Sequence, residues 1–255
     1  MTANDPGQPG SDGRVTSRDL PTPGVALAVG AHPDDIEFGA GGTLAKWAAA
    51  GCTVHFIVCT DGSKGTWDVT ADTAELAARR DVEQVEAARR LRQEGPGEVV
   101  FLGQVDGELD NLRTVRSRLA REIRRLRPDI VLGHDPWKRY RLHPDHRAAG
   151  LLLCDAVVAA RDPHFFPEHE LEHHRPSRML LWEADEPDHV EDVSAWTDTK
   201  LGALEAHVSQ FESTMKAVDE IQLDAFRTRI RERLASIGAP HGLAAAEQFK
   251  LIADL

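Results

Sequence analysis

Two short stretches of this 255-residue chain gather imidazoles and carboxylates at spacings that could hold a metal ion. The first, AHPDDIEFGAGGT from Ala31, offers His32, Asp34 and Asp35. The second, HDPWKRYRLHPDHRAAG from His134, offers His143, Asp145 and His146. A lone His-Pro-Asp is ordinarily a turn or a helix cap, because Pro and Asp suit both. The i, i+3 spacing of His32/Asp35 and of His143/His146 puts each pair on one side of a tight turn or first helical turn. Nitrogen and oxygen donors of this kind suit zinc, and a catalytic site keeps three protein ligands and an open position for water. An ion so held acidifies water and polarises a carbonyl, which is the chemistry of hydrolysis.

For this to work, two loops far apart in sequence must meet. Residues 1–23 are rich in Pro, Gly and polar residues and read as a flexible tail. Residues 24–255 read as a single domain in which strands and helices alternate. Strands are expected at Val25–Ala31, Thr53–Thr60, Glu98–Gly103, Asp129–His134 and Arg178–Ala184, with a sixth at His189–Ser194. Helices are expected at Gly41–Ala50, Asp72–Arg92, Arg113–Arg127, Pro144–Arg161, Asp198–Phe211 and Val218–Ile237. The alternation predicts an α/β, Rossmann-like three-layer fold: a mainly parallel twisted sheet flanked by helices, in the order 3-2-1-4-5. In that order the first and fourth strands are neighbours, and the crevice beyond their carboxyl ends is the ligand site. Both His-Pro-Asp loops follow those two strands.

Composition excludes other classes. Acidic residues outnumber basic ones 42 to 30, for a net charge of −12, which argues against a nucleic-acid partner. No apolar run approaches the ~20 residues that span a bilayer, and no signal segment is evident, so a cytoplasmic location without membrane attachment is expected. Three cysteines (Cys52, Cys59 and Cys154) form no Cys-x-x-Cys pair and no disulfide scaffold. Gly39–Leu44 mimics a dinucleotide-binding glycine loop, but it ends in Leu and starts too late after its strand. A two-metal phosphoesterase would need more bridging carboxylates. A non-catalytic metal-binding protein on the same fold would lack Asp34 or His143, and both are present.

The motifs AHPDDIEFGAGGT, Arg80-x-x-Glu83, Asp106-Gly-Glu-Leu109, RLRPDIVLGHDP and HPDHRAAG, with PDHVEDVS and the SQ pair ending at Gln210, resemble the LmbE/PIG-L family of zinc-dependent N-acetylglucosaminyl deacetylases. The resemblance implies hydrolysis of an acetamide on a glucosamine-type sugar or glycoconjugate, with an amide outside the sugars as the alternative substrate. It assigns His32, Asp35 and His146 as metal ligands, with Fe²⁺ or Co²⁺ as alternatives to Zn²⁺. It makes Asp34 the general base, His143 the acid and oxyanion partner, and Asp145 the carboxylate near His143. Protonated His143, held charged and oriented by Asp145, would then stabilise the tetrahedral oxyanion. Arg80 and Asp106 match positions that hold the sugar. The expected partner is a small amino-sugar; homo-oligomerisation is left open.

Other residues have plainer readings. Glu37 is an acid in the first turn of a helix. His134 points toward the crevice, and Trp67 and Trp137 could stack on a sugar or simply pack. The His-rich stretch 164–174 reads as a surface loop near the pocket rim, and His207 and Gln210 as structural residues near the site.

Overall fold

The computed structural model describes residues 17–255. Among them the strands are β1 (Ser17–Arg18), β2 (Val25–Gly30), β3 (Thr53–Thr60), β4 (Val99–Gln104), β5 (Ile130–His134), β6 (Arg178–Trp182), β7 (His189–Asp192) and β8 (Ala246–Ala253). The helices are α1 (Asp35–Ala49), α2 (Thr73–Arg92), α3 (Arg113–Leu126), α4 (Pro144–Arg161), α5 (Thr197–Leu204) and α6 (Glu220–Gly238). One sheet carries all eight strands in the order β1-β7-β8-β6-β5-β2-β3-β4. The five strands β4-β3-β2-β5-β6 are parallel and reproduce the expected order.

The central strands are apolar runs because both their faces are covered. On β2, Ala26 and Ala28 face the core under α1 and α2 with Phe56, Leu44, Trp47 and Leu91. Leu27 and Val29 face the opposite core under α3 and α4, with Ile57, Leu119, Ile123, Leu152 and Leu153. Strand periodicity alone accounts for that division. A third apolar cluster joins α5 to α6 through Leu201, Leu204, Phe226 and Ile230. Asp72 caps α2 by accepting from the Ala74 and Glu75 amides, and Pro144 opens α4 as expected.

Several expectations are corrected. The first helix starts at Asp35, not Gly41, and is interrupted at Ala40 (φ −144°, ψ 15°). At that break the Gly42 and Thr43 amides donate to Glu247 at 2.9 and 2.8 Å, and Lys200 Nζ donates to the Phe38 carbonyl at 2.8 Å and to Glu247 at 2.6 Å. A buried ion pair therefore splices the broken helix. Glu247 lies on β8, which sequence reading missed. This strand inserts antiparallel between β6 and β7, a place that local pattern does not announce. The helix expected over Asp198–Phe211 ends at Leu204, and short 3₁₀ and π turns carry His207–Met215 toward the site. Of the expected tail, residues 1–16 lie outside the described residues. Ser17–Arg18 pair in parallel with β7, and Lys46 bridges Asp19 at 2.5 Å and Glu191 at 2.7 Å, fastening this segment to α1.

Candidate active site

The adjacency of β2 and β5 (Val29 beside Gly133) brings both His-Pro-Asp loops to the carboxyl edge of the sheet. They open onto a cavity of about 600 Å³ whose walls include His32, Asp34, Asp35, His143 and His146. Asp35 is the hub. Its carboxylate lies 3.3 Å from His32 Nδ1, 3.3 Å from His146 Nε2 and 3.2 Å from His134 Nε2. His32 and His146 thus approach the two oxygens of the Asp35 carboxylate, and among the described residues the sets whose ligand atoms lie within 4.8 Å of one another are His32/His143/His146, Asp35/His134/His146 and His32/Asp106/Asp145.

His32 has carboxylates on both sides. Its Nε2 lies 3.0 Å from Asp145 and 3.2 Å from Asp106. Burial alone would lower the His32 pKa, but hydrogen bonds donated to Asp106, Asp145 and Asp35 raise it to about 12. Three acids around one buried imidazole call for a cation. A divalent ion fits this donor set, because a ligating histidine usually gives its other ring N–H to a carboxylate, as His32 does here to Asp145. His146 is the counterpart. Burial, together with its neighbours His134, His32 and His143, pushes it down to about 4, so it is neutral at pH 7, as a metal ligand must be. Burial raises the Asp35 pKa, but the imidazoles of His146, His134 and His32 outweigh it and hold the carboxyl well below its usual range.

Asp145, expected near His143, acts on it only through its charge and makes its hydrogen bonds elsewhere. Its carboxylate binds His32 Nε2 and accepts from the Gly107 and Leu109 amides at 2.6 and 3.1 Å. It is locked against the loop after β4 because α4 begins at Pro144 and turns Asp145 inward. His143, just before the helix, stays exposed at the cavity mouth. Its ring stacks on His146 at 4.7 Å and meets His32 edge-on at 4.6 Å. Burial and the His32 charge hold it below its ordinary pKa, against the opposing pull of Asp145, Asp106 and Asp35.

Asp34 sits on a left-handed turn (φ 99°, ψ −26°), unusual for a residue with a Cβ and costing on the order of 1–3 kcal/mol. Burial raises its carboxyl to about 6 despite Arg80 Nη2 at 3.5 Å. Arg80 is buried and not solvated on its helix; Nη1 donates to the Gly62 carbonyl at 2.9 Å and Nη2 to the Pro33 carbonyl at 2.5 Å. Each terminal nitrogen thus gives one hydrogen bond to backbone, Nε has no partner among the described residues, and the side chain lines the cavity. Asp106 also lines the cavity and accepts from the Lys64 amide at 3.0 Å.

His134 supports Asp35. The Trp182 indole donates to its Nδ1 at 3.0 Å, which leaves the Nε2 proton facing the Asp35 carboxylate at 3.2 Å. Glu37 is buried and accepts from Gln84 Nε2 at 2.8 Å. Gln210 lines the cavity and His207 lies behind it, 3.5 Å from Glu37. The His-rich stretch does not reach the rim. It docks instead on Arg124, whose guanidinium donates to the Phe165 and Phe166 carbonyls. Trp67 and Trp137 are 81% and 63% exposed, and neither lines this cavity. Sequence reading missed Gln84, Arg141, Trp182, Glu183 and Arg233. They come from four separate segments, and only the position of Gln84, one helical turn after Arg80, carried a local signal.

Comparison with known proteins places the chain among sugar deacetylases by sequence and fold. The chain is 38% identical over 188 residues to a diacetylchitobiose deacetylase of Thermococcus kodakarensis, covering 72% of this chain and 69% of that one. It is 31% identical to 1D-myo-inositol 2-acetamido-2-deoxy-alpha-D-glucopyranoside deacetylase 1 of Catenulispora acidiphila, over 56% of this chain and about half (51%) of the relative. The N,N'-diacetylchitobiose deacetylase of Pyrococcus horikoshii superposes with a TM-score of 0.81 at 30% identity, covering 91% of this chain and 84% of that one. Residues 27–157 match the family described as GlcNAc-PI de-N-acetylase, PIG-L. With the paired motifs converging on one cavity, the chain belongs to the PIG-L family of de-N-acetylases.

Proposed function

We propose that this protein hydrolyses the acetamide of an N-acetylglucosamine-type sugar, using a divalent ion held by His32, Asp35 and His146. The observation that carries the reading is the approach of two imidazoles, His32 and His146, to the Asp35 carboxylate at 3.3 Å each, in a cavity that Asp34 also lines. Zn²⁺ suits two imidazoles and a carboxylate, and Fe²⁺ or Co²⁺ can occupy the same set. When bound, such an ion supplies Lewis acidity, lowering the pKa of water toward ~7 and polarising a carbonyl oxygen.

The protein's own groups do the rest. Asp34 accepts the proton of the attacking water and returns it to the leaving nitrogen, so that the amine departs neutral. Its buried setting beside Arg80 gives the carboxyl a pKa of about 6, close to the working range of a general base. His143 presents a ring N–H from the mouth to the tetrahedral oxyanion. Asp145 holds His32, and Trp182 with His134 holds Asp35, so both ligand side chains are set before substrate arrives. Asp106 and Arg80 form the wall against which the sugar hydroxyls rest. Among the described residues no helix is long and apolar enough to cross a membrane.

The test is acetate release from N-acetylglucosamine and N,N'-diacetylchitobiose, measured before chelation, after it, and after each ion is restored. Release that chelation abolishes and Zn²⁺ restores supports the reading. Release that survives complete metal removal, or its absence on every N-acetylated sugar tried, overturns it.

A further inference from the structure

The Pro33–Asp34 peptide unit is gripped at both polar ends from one helix. Its carbonyl accepts from Arg80 Nη2 at 2.5 Å, and its N–H donates to Gln84 Oε1 at 3.0 Å. Arg80 and Gln84 are four residues apart on α2, so they project from one face. The direction of the Gln84 amide is not arbitrary. Its Nε2 donates to Glu37 Oε1 at 2.8 Å, which leaves Oε1 as the end that meets Asp34. Gln84, Glu37 and His207 are all fully buried, and Glu37 Oε2 faces His207 Nε2 at 3.5 Å. A polar chain this deep is costly unless its members are held in fixed roles.

We propose that Gln84 is a positioning residue for the general base: with Arg80 it clamps the Pro33–Asp34 peptide and so holds Asp34 in its left-handed turn. The assignment rests on Asp34 being the proton acceptor of the previous subsection. That turn (φ 99°) lets two consecutive carboxylates line one cavity, Asp35 among the imidazoles and Asp34 beside them. An ordinary helical or extended step would point successive side chains in different directions. Gln84 does not line the cavity and touches no reacting atom; it acts through the backbone of Asp34.

The test begins with Gln84→Met, which keeps the side chain's length and removes both hydrogen bonds. In the metal-free protein, hydrogen exchange at the Asp34 amide should quicken at least ~10-fold. With metal restored, kcat should fall about 10- to 100-fold, with KM within about two-fold and metal content per chain unchanged. Gln84→Glu keeps an acceptor for the Asp34 amide but sets two carboxylates against each other. Combining it with Glu37→Gln restores a donor between them and should recover at least ~10-fold of the lost kcat. This exchanged pair keeps the proposal testable if Gln84→Met does not fold. An Asp34 amide as protected in Gln84→Met as in the wild type overturns the clamp. So does a kcat loss that tracks loss of metal, or an exchanged pair that recovers nothing. The exchange measurement needs neither metal nor substrate, so a failure of the deacetylase reading would show separately, as absent acetate release by the wild-type protein.

Discussion

Asp145 Oδ2 lies 3.0 Å from His32 Nε2, and the same carboxylate accepts the Gly107 and Leu109 amides. The acid of the second His-Pro-Asp motif therefore supports the histidine of the first. This interlock between loops ties the two halves of the site together. Asp145→Asn should weaken metal affinity about 10- to 100-fold, the usual effect of removing such a support. Competition with a chelator of known affinity measures it. Unchanged affinity with a lowered kcat would return Asp145 to a role on His143.

Asp34→Asn should separate binding from chemistry. Asp34 lines the cavity but contributes nothing to the convergence on Asp35, so the variant should keep wild-type metal content while kcat falls about 10²- to 10⁴-fold. His146→Ala, in contrast, should lose the metal. Elemental analysis of both purified variants beside their kinetics decides the matter; a near-normal kcat in Asp34→Asn would remove it as the base.

Lys200 and Glu247 are buried and joined at 2.6 Å, and between them they satisfy backbone groups freed by the break in α1 at Ala40. Removing one partner leaves the other charge buried without compensation. Lys200→Met should therefore cost about 3–5 kcal/mol in denaturant unfolding, well beyond a typical surface substitution. A loss under about 1 kcal/mol would show that the pair does not splice the helix.

The Asp19–Lys46–Glu191 contacts predict a pH-dependent edge. Burial raises the Asp19 pKa, but Lys46 and the Asp192 amide outweigh it and hold the carboxyl below 3.8. Burial opposes the Lys46 charge too, but Asp19 and Glu191 raise its pKa above 10.5. The Asp19 contribution is therefore complete above its unfolded value and is lost as pH falls through the lower folded value. That of Lys46 is complete below its unfolded value and is lost as pH rises through the higher folded one. Asp19→Ala should cost about 0.5–1 kcal/mol at pH 7, within the range of partly exposed ion pairs. The cost should shrink as pH drops below ~4. Unfolding midpoints of both proteins across pH 3–8 test this; a constant difference would dismiss the ion pair as its source.

Much of the architecture was readable in the chain itself. Apolar runs such as VALAVG and TVHFIVCT mark doubly covered strands, and their alternation with helices leads to the parallel order around β2 and β5. That order predicts that the two His-Pro-Asp loops meet, because a switch point places the ends of those strands side by side. Folding in space decided the rest. The partner of Asp145 depends on how α4 turns at Pro144, and the role of Arg80 on which carbonyls lie within its reach. Strand β8 enters beside β6 from the far end of the chain and brings Glu247 to a helix some two hundred residues earlier, a pairing that no local periodicity encodes. Residue types and their spacing name the groups able to do chemistry. Which groups touch is set by side-chain direction and by long-range contacts, and these exist only once the chain has packed.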